Sequence, residues 1–184
     1  MPGEALTGSQ LDKLGERLRN GPLALSDLQQ LRVFLETLEP FAEEMFANVQ
    51  ALGSVLRGPI PQITRRNVKT VRSIIAKLRR QTIALRQIQD LVGCRIVVMD
   101  TIEQQEYLAE LMTMFPSAIV IDHKAEPQHG YRAVHMVVRS GNQRFEIQLR
   151  TRLQDEWANI VEKIADRIGP VSYTHLTLPT ILRV

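Results

Sequence analysis

The most constraining feature of this 184-residue chain is the run AVHMVVRSGNQRFEIQLRT, residues 133–151. Two segments of alternating apolar residues flank Gly141-Asn142, a dipeptide suited to the two-residue turn whose twist matches that of paired strands. Setting Ser140 against Gln143 fixes the register. Val138 then faces Phe145, Met136 faces Ile147 and Val134 faces Leu149, so one side of the hairpin is wholly apolar. The same alternation gathers Tyr131, His135, Glu146, Gln148 and Arg150 on the other side. That second face admits two readings: a solvated face of an antiparallel sheet, or the wall of a site.

Around this hairpin, helix and strand signals alternate. Residues 9–20 and 26–52 read as helices, the second with Ser26 and Gln29 at capping-box spacing and Pro40 as a break or kink. GSVLRGPIPQ reads as a loop, and a basic helix runs from near Thr64 to about residue 81. A strand at CRIVVMD, a helix at TIEQQEYLAELMTMF, a strand at AIVID, the hairpin, and a last helix over LQDEWANIVEKIADRI complete the order. In that last helix Leu153, Trp157, Ile160, Val161, Ile164 and Ile168 share a stripe that reads as core. The class is α/β (α+β): a mixed β-sheet flanked by helices, with a helical N-terminal segment. The chain divides into a helical segment over 1–58, an α/β domain over 59–170, and a tail over 171–184. The tail, VSYTHLTLPTILRV, follows a Gly169-Pro170 stop, has a Thr/Leu texture unlike the rest, and reads as non-native.

Composition excludes several classes. A hydrophobic content of 44% with 23% charged residues is that of an ordinary globular chain. The single cysteine, Cys94, excludes an intramolecular disulfide, and its apolar neighbours suggest burial in a reducing, cytoplasmic setting. No signal core or membrane-length apolar run is visible. The four histidines lack zinc-site spacing, and neither a phosphate-binding Gly-Lys-Ser/Thr loop nor a dinucleotide fingerprint is present.

Charge is more informative locally. Lys and Arg total 23 against 20 Asp and Glu, yet Thr64 to Arg86 contains no acid at all. At about 100° per residue, Val71, Ile74, Ile75 and Leu78 share one side of a helix; Lys69, Arg72, Ser73 and Arg80 fall opposite, with Lys77 flanking. Such a face is either solvated or built for an anion, triphosphate and nucleic-acid backbone being the candidates. Asp90 ends a polar segment just before a strand, where it is either a turn residue or an acid at a site. With Glu146 it could hold a hard cation such as Mg²⁺, which takes one or two carboxylates plus phosphate oxygens.

Taken in order, VKTVRSIIAKLRR, IQDLVGCRIVV, HGYRAVH and FEIQLRTRLQDEWANIVEKIAD resemble the synthetase motifs of the RelA/SpoT family, the alarmone (p)ppGpp synthetases of the stringent response, over roughly residues 60–169. The resemblance implies a nucleotidyltransferase-like fold and a small stand-alone synthetase. It implies a GTP/GDP pyrophosphokinase that moves the β,γ-pyrophosphoryl group of ATP to the 3′-hydroxyl of GDP or GTP with Mg²⁺. Asp90 and Glu146 match the catalytic metal acids, Glu146 also the acceptor of the hydroxyl proton. Lys69, Lys77 and Arg80 match donors to the ATP phosphates, and Arg95 an arginine packed on adenine. Tyr131 matches the residue stacked on guanine, and His135, Gln148 and Arg150 polar positions on the acceptor side. Asn67 and Pro127 depart from the family pattern. A toxin branch of the family uses a tRNA 3′ end or an adenine nucleotide as acceptor. No membrane partner is implied, and a homo-oligomer is left open, as are the roles of Asp155 and Asn159.

Overall fold

In the computed structural model, residues 6–55, 61–123 and 133–168 are described. The hairpin forms as the pairing requires. Strand β4 (Val134–Ser140) and strand β5 (Gln143–Thr151) are joined by two residues, and Gly141 adopts φ 55°, a left-handed conformation that favours glycine. Val134, Met136, Val138, Phe145, Ile147 and Leu149 are all buried.

Three further strands complete a single sheet: β1 (Gln62–Arg66), β2 (Val92–Val98) and β3 (Ile119–Asp122), in the order β1-β2-β5-β4-β3. The central strand is therefore β5. Its second face is not solvated: Glu146, Gln148 and Arg150 are 5%, 6% and 2% exposed. A middle strand has neighbours on both edges and cover on both faces, so alternation on it separates apolar from polar burial rather than core from water.

The helices are α1 (Gly8–Asn20), α2 (Leu25–Thr37), α3 (Glu39–Val55), α4 (Val71–Arg80), α5 (Thr101–Met114) and α6 (Arg152–Ile168), with a 3-10 turn at Leu85–Gln87. The mixed sheet flanked by helices matches the class read from the sequence.

Several local readings are corrected. The capping box lies at Thr7 and Gln10 on α1, whereas α2 starts after Ala24 with no side-chain cap, so Ser26 falls inside the helix. The second helix is broken beside Pro40, as that residue suggests, the break falling at Leu38; Pro40 itself stands in the first turn of α3, where a missing N–H costs no intrahelical bond. Gln62–Arg66 is a strand and not the start of a basic helix. Two arginines on so short a segment hide its β character, yet charge is what an edge strand carries to discourage further pairing. On α6, Leu153 and Ile160 are 53% and 50% exposed and Trp157 is only half-buried. Among the described side chains the inward face passes instead through Gln154, Asp155 and Ala158, the first two hydrogen-bonded to Gln104 and Arg150; the side chains of Ile164 and Ile168 lie outside those described.

The described residues divide into two units. Of the described residues, the first takes 6–49, 65–94 and 137–146, and the second 50–55, 61–64, 95–123, 133–136 and 147–168. In the first, α1 packs on α2, α4 and the 3-10 turn through Leu11, Leu14 and Leu18, all fully buried. Arg19 closes the end of α4, its guanidinium donating to the carbonyls of Leu78 (3.0 Å) and Ile83. In the second, the buried Gln104 of α5 donates to the Leu149 carbonyl and to Gln154 Oε1, both at 2.9 Å. No helix among the described residues is long and apolar enough to cross a membrane. Residues 171–184 lie outside those described.

Candidate active site

The first unit builds a cationic cradle around Asp90. Thr70 Oγ1 accepts from the Ser73 backbone N–H at 3.2 Å and starts α4 at Val71, so Lys69 stands just ahead of the helix rather than on its face. The backbone N–H of Lys69 donates to the Leu91 carbonyl at 2.9 Å, which pins it against the chain entering β2. Lys77 lies two turns along α4. Ile74, Ile75 and Leu78 bury the opposite face, as their spacing predicts. The two ammonium groups converge on one carboxylate, Lys69 Nζ at 2.7 Å from Oδ2 and Lys77 Nζ at 2.9 Å from Oδ1 of Asp90.

That carboxylate is 17% exposed. Burial alone would raise its pKa, but the hydrogen bonds and charges of Lys69 and Lys77 outweigh burial and hold it down at about 2. At neutral pH the group is therefore an anion. Arg80, expected beside the lysines, is exposed in the last turn of α4.

Glu146 sits in the same unit on β5, and Arg66 Nη1 at the end of β1 stands 2.6 Å from its Oε2. Gly93 of β2 makes the approach possible: a methyl group there would collide with the Glu146 carbonyl oxygen and stand 3.3 Å from its Cβ. Asp90 precedes Gly93 by three residues, at most about 10 Å of extended chain. Both acids therefore lie close to the start of β2. Cys94, also buried here, is no nucleophile: burial pushes its thiol up to about 12, with Arg66 lowering and Glu146 raising it. The apparent absence of acids from the basic stretch is made good by the fold, since Glu39 and Glu43 reach Arg65 and Asp12 reaches Arg86.

The second unit holds a different cluster. Asp155 Oδ1, in the first turn of α6, lies 3.2 Å from Arg95 Nη1 and 3.0 Å from Arg150 Nη1. Its Oδ2 accepts from Asn159 Nδ2 at 3.1 Å, and Arg150 Nη2 donates to Gln148 Oε1 at 3.1 Å. His135 stands edge-on to His123, their ring centroids 4.8 Å apart.

Of the expected site residues, Lys69, Lys77 and Asp90 are thus in direct contact, Arg95 and Arg150 share Asp155, and Gln148 joins them through Arg150. Tyr131 lies outside the described residues. Two participants were not singled out as site residues from the sequence. Arg66 was obscured by the run Arg65-Arg66, and Asp155 by having no visible partner, although Asp155 and Asn159 at i, i+4 spacing gave a signal. No group of three or more metal-ligating side chains occurs among the described residues; the pair Asp90 and Glu146 offers two hard carboxylates.

The family description that matches, a region found in RelA / SpoT proteins, covers residues 66–165. An uncharacterized protein of Mycobacterium bovis is 40% identical over 105 residues, 55% of this chain and 38% of that protein, so the chain spans well under half of that relative's length. GTP pyrophosphokinase YjbM of Bacillus subtilis is 29% identical over 154 residues, 73% of this chain and 72% of that protein. The crystal structure of small alarmone synthetase 1 from Bacillus subtilis, bound to its product pppGpp, aligns with a TM-score of 0.63 at 27% identity over 78% of this chain and 83% of that one. The matched region takes in more than half of the chain and contains Asp90, Glu146 and the basic residues around them; the chain belongs to the RelA/SpoT family.

Proposed function

We propose that this chain is an ATP-dependent pyrophosphotransferase that makes (p)ppGpp from GDP or GTP. The observation that carries this reading is the convergence of Lys69 and Lys77 on an Asp90 whose pKa is about 2. Two ammonium groups on flexible stems are held beside an ionised acid, the arrangement that a metal-bound triphosphate can take over by exchanging partners. The relatives add support: one is a GTP pyrophosphokinase, and the small alarmone synthetase 1 of Bacillus subtilis has been solved with pppGpp and with AMPCPP.

In this reading the 3′ oxygen of the acceptor forms a bond to the β-phosphorus of ATP. The bond from that phosphorus to the α,β-bridging oxygen breaks, and AMP leaves with the oxygen and its electron pair. The hydroxyl proton passes to Glu146. Lys69 and Lys77 leave Asp90 for phosphate oxygens and hold the chain of phosphates in line, the main source of rate in phosphoryl chemistry. Arg80, exposed at the end of α4 and three residues beyond Lys77, is a further donor to the phosphates. Arg95 packs its guanidinium plane on adenine, Tyr131 stacks on guanine, and His135 and Gln148 line the acceptor side, with the buried Arg150 held behind Gln148.

Mg²⁺ fits Asp90 and Glu146 by donor chemistry, since both are hard carboxylates and Asp90 is ionised at working pH. When bound, it would neutralise phosphate charge and polarise the β-phosphorus.

The test is transfer from ATP labelled in its β and γ phosphates, offered GDP, GTP, adenine nucleotides and tRNA side by side. Labelled guanosine tetra- or pentaphosphate is the expected product. Label on tRNA or on adenine nucleotides alone would move the chain to the other acceptor class, and label on none would remove the activity.

A further inference from the structure

Asp155 stands out because its carboxylate is entirely committed to other side chains. One oxygen lies under two guanidiniums, Arg95 at 3.2 Å and Arg150 at 3.0 Å, and the other accepts from Asn159 at 3.1 Å. Two guanidiniums close enough to share one oxygen repel each other, and Arg150 is almost wholly buried, with 3% of its side chain exposed. A carboxylate between them offsets that repulsion, hydrogen-bonding Arg150 and drawing the Arg95 guanidinium toward the same oxygen. Asp155 occupies the first turn of α6, where the helix dipole favours an anion, and Asn159 one turn later holds its rotamer. Arg150 is further set by Gln148 Oε1 at 3.1 Å.

We propose that Asp155 is a positioning residue for the nucleotide donor: it aims the guanidinium plane of Arg95 at the donor's base, using the buried Arg150 as a fixed backstop. The proposal rests on the functional reading for the identity of the ligand, a purine nucleoside triphosphate, and for the stacking of Arg95 on its base. A planar cation stacks on a base at lower entropic cost when its swing is already restricted, and an ion pair on one terminal nitrogen restricts the swing of Arg95 about its stem. The base lies away from the reacting phosphorus, so loss of this contact weakens ground state and transition state alike. The signature is a raised KM for ATP with little change in kcat.

The experiment compares Asp155→Asn, Asp155→Glu and Asn159→Leu with the wild type in two assays: steady-state transfer with ATP varied, and equilibrium binding of a non-hydrolysable ATP analogue without acceptor. Asp155→Asn keeps an oxygen acceptor and loses the charge; it is expected to raise KM and analogue Kd about tenfold while kcat stays within about threefold. Asp155→Glu should recover part of the loss, and Asn159→Leu should move KM in the same direction by about threefold. The preference for ATP over GTP as donor should narrow in Asp155→Asn, a change that simple loosening of the helix would not produce. Equal KM, Kd and donor preference in folded Asp155→Asn and wild type would overturn the proposal. If Asp155→Asn does not fold, an unchanged Asn159→Leu overturns it equally. A wild type that transfers nothing to any acceptor, yet binds the analogue more tightly than Asp155→Asn does, would sink the reaction and keep this role.

Discussion

Asp90 and Asp155 each hold two cations, and they hold them in opposite ways. Asp90 gives one oxygen to each of two lysines, which approach from the residue before α4 and from two turns along it. Asp155 gives a single oxygen to two arginines and its second oxygen to an amide. An ammonium group is a compact charge on a flexible stem and can exchange partners at little geometric cost; a guanidinium is a rigid fork whose hydrogen bonds dictate direction. The lysine cradle is therefore suited to handing its charge to an arriving phosphate, and the arginine bracket to staying in place. Within one chain the same acid is bracketed by two flexible ammonium groups in one unit and by two planar guanidiniums in the other.

The largest expected break in that contrast is at the arginine bracket. Asp155→Ala deprives the buried Arg150 of a carboxylate partner and should lower stability by about 3 kcal/mol in urea denaturation, within the range for removing one member of a buried pair. A loss below about 1 kcal/mol would make the two aspartates alike.

The next is at the cradle, read through pH. Because the folded-state pKa of Asp90 is about 2 against 3.8 for the free group, its contribution is fully present above pH 3.8 and is lost as pH falls through about 2. The depression corresponds to stabilisation on the order of 2 kcal/mol. Asp90→Asn should flatten that acid limb in denaturation curves taken from pH 5 to pH 2; an unaltered limb would mean the lysines do not hold the acid.

A finer distinction comes from removing the lysines singly. In Lys69→Ala or Lys77→Ala the Asp90 pKa should rise from about 2, because burial is then opposed by one ammonium instead of two, and carboxyl NMR titration reads it directly. The double variant should raise it further. A pKa that stays put in either single variant would assign the whole effect to the other lysine.

The legibility of these features in the sequence follows their range. The hairpin was readable because Gly141-Asn142 and strict alternation are local, and the buried side of α4 because Ile74, Ile75 and Leu78 repeat at helical spacing. The strand at Gln62–Arg66 was not, since an edge strand with two arginines has no local signature to separate it from a helix start. The apolar stripe on α6 misled for a related reason: periodicity finds an amphipathic face, but Gln154 and Asp155 choose which side turns inward through partners that are distant in sequence, Gln104 for one and Arg95 for the other. Burial of the polar face of β5 likewise depends on its rank in the sheet order, which no window of sequence contains. Asp90, just before a strand, and Glu146, on the polar face of the hairpin, are candidates by position, and motif resemblance supplies their roles; their basic partners Lys69, Lys77 and Arg66 meet them only through tertiary structure.

The most direct measurement is pyrophosphoryl transfer from ATP to GDP by the wild type, Asp90→Asn and Glu146→Gln, each shown by circular dichroism to be folded. Product is expected from the wild type, with a loss of at least about a hundredfold in both variants, in keeping with removal of preorganised charge at a reacting centre. Transfer at the wild-type rate in either folded variant would contradict it.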